Sequence, residues 1–203
     1  MTKTRGDTRA RILRTAADLF QRQGYGATGL NQVLAESGAP KGSLYFHFPQ
    51  GKEQLAAEAV ALAGGEMGAR MASVVGSAGG VADAVVGVGE LLAGGLRASD
   101  FRDGCPVATV ALEQSGGDGP ISDACHVAYD SWLAGLAEAL RGWGAADDEA
   151  AELAELVMSS LQGALLLAQV RRDTTVISSV ARRVGSVVAQ SLEKQSLEMG
   201  RDV

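Results

Sequence analysis

Apolar residues recur at helical spacing through almost the whole chain. No run alternates between apolar and polar residues with the period of two that a half-buried β-strand shows. In residues 8–23, one side of a helix carries the apolar residues Ile12, Ala16, Leu19 and Phe20, and charged residues take up much of the rest. Aromatic residues are only 4% of the chain, so the core must consist mainly of leucine, valine and alanine. The pattern predicts an all-α protein.

Turn and capping signals divide this pattern into about nine helices. Gly24-Tyr25-Gly26 follows the first helix, where a glycine commonly ends it. Acidic residues begin a late helix at Asp147 and arginines end it at Arg171, which matches the helix dipole. The predicted helices cover residues 8–23, a short segment ending at 37, 41–46, a long segment starting near 52, and then 81–98, 104–115, 120–142, 147–171 and 174–198.

Basic and acidic residues are distributed unevenly along the chain, whose formal net charge is −6. Residues 1–55 contain eight lysines and arginines against four acidic residues, whereas the other 148 residues contain ten against twenty. A basic head on an acidic body is typical of a protein that meets a polyanion with one end only. The distribution disfavours a non-specific architectural DNA protein, which needs basic charge over much of its surface.

Three further features predict a soluble, cytoplasmic protein. Cys105 and Cys125 are too few for a disulfide framework, and reduced thiols suit the cytoplasm. The first residues lack the apolar core of a signal peptide. The most apolar stretch, residues 74–96, is interrupted by Asp83, Glu90 and several glycines, so no membrane contact is expected.

The most informative stretch of the sequence is residues 24–55. Two short helices there are separated by the tight turn Gly38-Ala39-Pro40, which is the helix-turn-helix pattern of DNA-binding proteins. The second helix of such a motif enters the major groove, so its outer face must be thin and polar. Leu44 points back to the core in this pattern, and Gly42 lets the backbone approach the bases closely. The stretch predicts a DNA-binding head.

The candidate DNA-contacting residues all lie in this stretch. Tyr45 and His47 carry polar groups near the end of the second helix, at a suitable place for phosphate oxygens. Lys52 begins the next helix, where backbone N–H groups and the dipole already favour a phosphate. Thr28 stands where the N-cap of the motif's first helix belongs. The full set is Thr28, Lys41, Gly42, Ser43, Tyr45, His47 and Lys52.

This stretch resembles the signature of the TetR family of bacterial regulators, over residues 8–60. The matching features are Gly24 with the aromatic Tyr25, a capping threonine, Ser-Gly at the turn, Lys-Gly-x-Leu-Tyr in the recognition helix, then His-Phe and a Lys-Glu pair. The variants ATGLNQ, SGAPKGSLY and FPQGKEQLA resemble the LmrA/YxaF-like branch of the family. So does the later segment Gly104-Cys105-Pro106-Val107 followed by Glu113.

The resemblance implies an all-helical homodimer with a three-helix DNA-binding head, residues 1–51, and a ligand-binding and dimerisation domain, residues 52–203. It also implies a regulator, expected to be a repressor, that binds double-stranded operator DNA and is released by a small-molecule effector. Two heads related by a twofold axis would contact half-sites of a palindrome about 34–36 Å apart, or a multiple of that distance. The dimer would exist in two shapes, one that fits the operator and one that does not. The effector shifts the equilibrium between them only as far as its affinities for the two shapes differ.

Two further residue sets follow from this interpretation. Apolar and sulfur-containing side chains suit a pocket for a small apolar or aromatic effector. The pocket candidates are Met67, Met71, Leu91, Leu92, Cys105, Val110, Trp132 and Leu166. Apolar stripes on the last two helices predict a dimer interface, and the alternative is that they form only internal core. The interface candidates are Leu153, Leu156, Val157, Leu161, Ile177, Val180, Val184 and Val187.

The glycine pair Gly64-Gly65 lies inside the predicted fourth helix, which leaves the head and enters the ligand domain. Glycine in a helix interior is less stable than alanine by roughly 0.5–1 kcal/mol, so such a pair can mark a soft point or kink. The alternative is a pair that the helix merely tolerates. Both interpretations remain open at the level of the sequence.

Other classes of function have weaker support. Adjacent residues on a helix point about 100° apart, so Cys125 and His126 do not form a nucleophile–base pair, and no catalytic residue or cofactor is predicted. Two histidines and two cysteines without paired spacing do not predict a metal site. A thiol-based redox switch at Cys105 stays open. A protein-interaction module with a relic head also stays open, although the intact Lys41 and Lys52 disfavour it.

Overall fold

The computed structural model describes residues 5–114 and 117–199, including the side chains of residues 7–114 and 117–194. Within these residues the chain forms nine α-helices and no β-strand, which confirms the all-α prediction. The helices are α1 (Arg5–Ala27), α2 (Leu30–Ser37), α3 (Ser43–His47), α4 (Lys52–Ser77), α5 (Val81–Ala98), α6 (Ala108–Glu113), α7 (Pro120–Gly142), α8 (Asp147–Arg171) and α9 (Thr175–Met199).

Glycines interrupt the first helix and end the second where the sequence predicts it. Gly24 has φ 81° and ψ 173°, values that no α-helix contains, so the helical path breaks there before a last turn that runs to Ala27. Gly38 ends α2 in the left-handed conformation, with φ 61° and ψ 29°. Its N–H donates to the carbonyl of Ala35 at 3.2 Å. These two breaks set the directions of α2 and α3.

Two helices begin later in the structure than the sequence pattern predicts. The residues before Ser43 form a turn, in which the Ser43 N–H donates to the Pro40 carbonyl at 2.9 Å, and α3 begins only at Ser43. Residues 104–107 are not helical, and α6 begins at Ala108. Pro106 accounts for the later start of α6, because a proline disfavours helical backbone in the residue before it. At α3 the difference is two residues, and the hydrogen bond from Ser43 to Pro40 closes a single turn ahead of the helix.

The described residues pack as two compact units. The first unit contains the residues up to 67 and residues 104–129, and the second contains residues 68–103 and those from 130 onward. α4 and α7 each contribute residues to both units. The predicted division into residues 1–51 and 52–203 is a functional one and stays a prediction. In packing terms, the start of α4 and the whole of α6 belong to the first unit.

The core of the first unit contains the predicted apolar stripe of α1. All four residues of that stripe are buried: Ile12, Ala16, Leu19 and Phe20. Arg9 joins three elements, because its guanidinium lies over the ring of Phe48, 5.1 Å from the centroid, and forms an ion pair with Glu58 of α4. Phe48 directly follows α3 and is fully buried. This contact fixes the end of α3 against α1 and α4.

In the second unit, α5 packs closely on α9 through glycine and alanine residues. A Cβ atom on Gly89 would lie 2.7 Å from the Cβ of Ala181, and one on Gly185 would lie 3.0 Å from the Ala82 carbonyl oxygen. The two backbones can approach this closely only because these positions lack a side chain. The second unit also buries one tryptophan, Trp132. Most of its other large buried residues are aliphatic, as the composition predicts, and they include Val85, Leu92, Leu96, Leu153, Val157, Leu161, Ile177 and Val188.

Candidate nucleic-acid interface

The helix-turn-helix motif consists of α2, the turn at Gly38, and α3. Leu44 and Phe48 are buried, and they anchor α3 and the residue that ends it. Tyr45 and Phe46 lie between them in sequence and are exposed over 64% and 57% of their surface. α3 therefore has one apolar side in the core and presents an aromatic pair to solvent.

The turn that leads into α3 carries three of the predicted DNA contacts. Lys41 and Gly42 are exposed. A Cβ on Gly42 would meet no atom within 4 Å, so the protein itself leaves the space beside this backbone open. Ser43 is half-buried, and its hydroxyl donates to the Pro40 carbonyl at 2.6 Å. Lys41 and Gly42 thus have the accessibility that a groove contact requires, and Ser43 has less of it.

Phe46 is a surface residue that the sequence analysis missed. Its ring packs edge-on against the half-buried imidazole of His47, with ring centroids 4.9 Å apart. The sequence does contain the signal for its exposure. Leu44 and Phe48 are spaced i and i+4 and therefore define the buried side of α3, from which Phe46 points away.

Thr28 has a different role from the predicted one. Its side chain is only 1% exposed, and its hydroxyl donates to the carbonyl of Gly24 at 2.7 Å. The N-cap residue of α2 is Gly29, which makes no side-chain capping hydrogen bond. The predicted cap and DNA contact are therefore corrected: Thr28 closes the end of α1, and burial keeps its hydroxyl away from DNA.

Lys52, the first residue of α4, is held by an aromatic ring. Its Nζ lies 4.2 Å from the ring centroid of Tyr25, which belongs to the last turn of α1. The Tyr25 ring also contacts that of Phe20, with centroids 5.9 Å apart. Burial and the negative charge of Glu53 raise the pKa of the Tyr25 phenol, so the ring stays neutral. A neutral ring attracts an ammonium group over its face. The ring of Tyr25 therefore holds the ammonium group of Lys52 close to the start of α4.

Part of the basic charge of the head serves to hold the first unit together. Arg11 donates to the Asp7 carboxylate at 3.0 Å and to the Ser37 carbonyl, at the end of α2, at 3.2 Å. Arg9 pairs with Glu58, as described above. Some arginines of the basic head are therefore engaged in contacts within the first unit, whereas Lys41 is exposed in the turn before α3.

Two family models match the chain in successive regions. Residues 12–59 match "Bacterial regulatory proteins, tetR family", and residues 81–183 match "Transcriptional regulator LmrA/YxaF-like, C-terminal domain". This chain belongs to the TetR family, in its LmrA/YxaF-like branch. Both parts of the resemblance predicted from the sequence are confirmed. The chain is accordingly a DNA-binding transcriptional regulator with a C-terminal ligand-binding domain, and the proteins it matches are regulators, not enzymes.

The similarity of this TetR-family regulator to known relatives extends over most of its length. It is 38% identical to the HTH-type transcriptional regulator LmrA of Bacillus subtilis over 176 residues, which are 87% of this chain and 94% of LmrA. It is 37% identical to YxaF of the same organism over 185 residues, 91% of this chain and 97% of YxaF. A solved TetR regulator from Chloroflexus aurantiacus shares its fold, with a TM-score of 0.78 at 24% identity, covering 93% and 98% of the two chains.

The predicted effector residues of this TetR-family regulator are distributed over both units. The first unit contains Met67, Cys105 and Val110, and the second contains Met71, Leu91, Leu92, Trp132 and Leu166. Leu166 is 58% exposed, because Leu165 and Ala168 take the buried positions of α8, and this placement removes Leu166 from an interior lining. The other seven are buried or half-buried. Their role in a pocket stays a prediction.

Both cysteines are buried in the first unit. The Cys105 Sγ lies 3.8 Å from the Tyr129 hydroxyl. Burial, reinforced by the Cys105 thiol, raises the pKa of the Cys125 thiol, and burial together with the two thiols also raises the pKa of Tyr129. His126 is exposed whereas Cys125 is buried, so these neighbours point in different directions. A buried thiol with a raised pKa is a poor nucleophile, which disfavours catalysis by Cys125.

The predicted dimer interface is corrected in half of its residues. Four of the eight are buried inside the second unit and form core: Leu153, Val157, Leu161 and Ile177. Two are half-buried, Val180 and Val184, and two are exposed, Leu156 and Val187. Three further apolar residues are exposed on α8: Leu166, which was predicted to line the pocket, and Leu167 and Val170, which were in neither predicted set. Both sides of α8 are apolar, so periodicity alone could not separate core from surface.

Among the residues that the structure describes, no group of three or more His, Cys, Asp or Glu could hold a metal ion. By length and composition, α8 alone among the searched helices could cross a membrane. Its buried residues, such as Leu161 and Leu165, belong to the second unit, which is the pattern of a core helix.

Proposed function

We propose that this TetR-family regulator is a cytoplasmic repressor. In this proposal it binds a palindromic operator as a homodimer and is released by a small apolar or aromatic effector. The observation that carries the proposal is the arrangement of α3. Leu44 anchors the helix from inside, Tyr45 is exposed on it, Lys41 is exposed in the turn before it, and Lys52 lies at the start of α4. A buried anchor and an exposed polar edge are what a recognition helix needs to enter a groove about 12 Å wide.

Each of the predicted contact residues has its own role in this interface. Lys41 contacts a base edge in the major groove, and guanine O6 and N7 are the acceptors that a lysine prefers. Gly42 allows the backbone to approach the groove closely. The hydroxyl of Tyr45 and the ammonium of Lys52 bind phosphate oxygens on either side of that contact, which positions the helix without reading sequence.

A second copy of the chain binds at the exposed apolar side of α8 and α9. At 100° per residue, Leu156, Gly163, Leu167 and Val170 fall on one side of α8. All four are exposed, as is Val187 of α9. TetR-family regulators act as dimers, and an exposed apolar stripe on two helices is suited to form a four-helix contact with its own copy. Two-fold symmetry of the dimer explains why the operator is palindromic.

The effector acts through the C-terminal domain. The buried or half-buried apolar residues of that domain, including Met71, Leu92 and Trp132, favour an apolar or aromatic molecule over a charged one. Release requires that the effector bind better to the dimer shape whose heads no longer fit the operator. To move such an equilibrium from almost fully bound to almost fully released takes about a 10⁴-fold difference in affinity between the two shapes.

Selection of bound sequences from random duplex DNA at physiological salt tests this proposal. A palindromic site occupied by one dimer is the expected result. Addition of candidate apolar molecules to the selected complex then measures release. Recovery of only salt-sensitive, sequence-blind binding would contradict the proposal, and so would a site occupied by a single chain.

A further inference from the structure

Glu113, the last residue of α6, contacts the last turn of α1, which follows the break at Gly24. Its carboxylate accepts the N–H of Gly26 at 2.6 Å, although the two residues are 87 positions apart in the sequence. Gly24 in the same turn leaves the space that the carboxylate fills, because a Cβ atom on Gly24 would overlap it. The turn and the carboxylate are therefore complementary in shape as well as in hydrogen bonding.

The turn that Glu113 holds also carries Tyr25, and Tyr25 holds Lys52. Tyr25 stands between Gly24 and Gly26 in the sequence. The Lys52 ammonium lies 4.2 Å from the centroid of its ring. The carboxylate of Glu113 thus fixes the backbone N–H of Gly26, and the neighbouring ring of Tyr25 fixes the side chain of Lys52. These contacts form a chain from the α6 carboxylate to the lysine at the start of α4.

We propose that Glu113 is a positioning residue for DNA binding, which acts through the Gly26 N–H and the Tyr25 ring on Lys52. The proposal rests on the proposed function, because it takes Lys52 as a phosphate contact. Glu113 lies in the region, residues 81–183, that matches the C-terminal domain of the family, whereas Gly26 and Lys52 lie in the region that matches the DNA-binding domain. The affinity for DNA then depends on a residue outside the DNA-binding domain.

Electrostatics alone predicts the opposite effect of removing Glu113. Loss of one negative charge from the first unit should strengthen binding to a polyanion. Positioning predicts weaker binding, because an unrestrained Tyr25 no longer holds the Lys52 ammonium in place. The sign of the change therefore separates the two explanations. Glu113 is also exposed, so its removal should affect the stability of the fold only slightly.

The experiment measures duplex affinity and its salt dependence for the full-length protein. The variants are Glu113→Ala, Glu113→Gln, Tyr25→Leu and Lys52→Ala, and the first is also combined with Lys52→Ala. Asp118→Ala is the matched control, because it removes an exposed carboxylate from the same unit. The probes are the selected operator and an unrelated duplex at low ionic strength. Exchange of the Gly26 amide proton in the free protein reports the hydrogen bond directly.

Glu113→Ala and Tyr25→Leu are expected to bind DNA about twofold to fivefold more weakly, the range that a partly exposed cation–π contact supports. The slope of log K against log salt should become shallower by about one for each phosphate that the protein no longer neutralises. Glu113→Gln should retain affinity, because its amide oxygen still accepts the Gly26 N–H. The Gly26 amide should lose exchange protection in Glu113→Ala.

Three results would overturn the inference. Glu113→Ala could bind as tightly as the wild type or, like Asp118→Ala, more tightly. Glu113→Ala could weaken binding by the same factor in the wild-type protein and in Lys52→Ala, as an unrelated effect on folding would. Lys52→Ala could leave affinity and salt slope unchanged while the operator is still bound, in which case the inference fails and the proposed function stands. If no duplex is bound specifically by the wild type, the proposed function fails as well.

Discussion

Gly64 of α4 lies so close to Ala128 of α7 that a Cβ atom on Gly64 would stand 2.8 Å from the Cβ of Ala128. The next residue, Gly65, has open space around it, because no atom lies within 4 Å of the position that its Cβ would take. α4 continues as one helix through both residues. Packing therefore requires one glycine of the pair and not the other, and the pair does not kink the helix.

Substitution of the two glycines by alanine should have opposite effects on the free energy of unfolding. Gly64→Ala is expected to lower the free energy of unfolding by about 1–3 kcal/mol, because the new methyl group overpacks the contact with Ala128. Gly65→Ala should raise it by about 0.5–1 kcal/mol, the gain in helix propensity. Urea denaturation of both variants measures the difference. Equal effects of the two substitutions would contradict the packing explanation of Gly64.

Lys41→Ala should weaken operator binding by about 1–3 kcal/mol and relax the preference at one base pair, because Lys41 is proposed to contact a base edge. Competition binding with operators altered at single positions measures both effects. Arg183→Ala is the matched control, since it removes an exposed, positively charged side chain from α9. Retention of both affinity and sequence preference in Lys41→Ala would show that another residue contacts the base.

A charge on the exposed apolar side of α8 should prevent dimer formation. Val170→Glu places a carboxylate in the proposed interface, where no partner compensates its desolvation. Val170 is exposed, so the monomer should keep its fold. Val127→Glu is the control, because Val127 is similarly exposed but lies in the first unit. Sedimentation equilibrium should show a monomer for Val170→Glu alone, and a dimer of that variant would place the interface on another surface.

Stability should fall at alkaline pH because of the buried thiol of Cys125. Its pKa is raised in the folded protein by burial and by the neighbouring Cys105. The unfolded chain releases this proton near the ordinary thiol pKa of about 8.5, whereas the folded chain retains it. The contribution of the Cys125 thiol to the free energy of unfolding is therefore fully present below that pH, and it is lost as the pH rises toward the pKa of the folded protein.

Denaturation at a series of pH values, with Cys125→Ala for comparison, measures this loss. The variant should show a weaker decline in stability above about pH 8.5 than the wild type, and an identical decline would assign the effect to other groups. Native Cys125 should also react with iodoacetamide much more slowly than it does after denaturation. Rapid labelling of the native protein would instead support an accessible, reactive thiol.

The sequence by itself determined the helical class, the positions of the helix-turn-helix and the family. These properties follow from local signals. The stripe at Ile12 and Ala16 needs only the 3.6-residue period, and the breaks at Gly24 and Gly38 need only the freedom of glycine to adopt positive φ. The resemblance added the expectation of a ligand-responsive dimer, which neither spacing nor composition contains.

Only the tertiary structure decided which of several equivalent residues face inward and which distant residues meet. Thr28 has the sequence position of a cap, but its hydroxyl is buried and bonds backward to α1. Leu161 and Leu167 look alike on α8, and one is core while the other is surface. Glu113 meets Gly26 across 87 positions. A pattern along the chain measures the period of one element, whereas burial and contact depend on the elements that pack against it, and that arrangement is fixed only when the whole chain has folded.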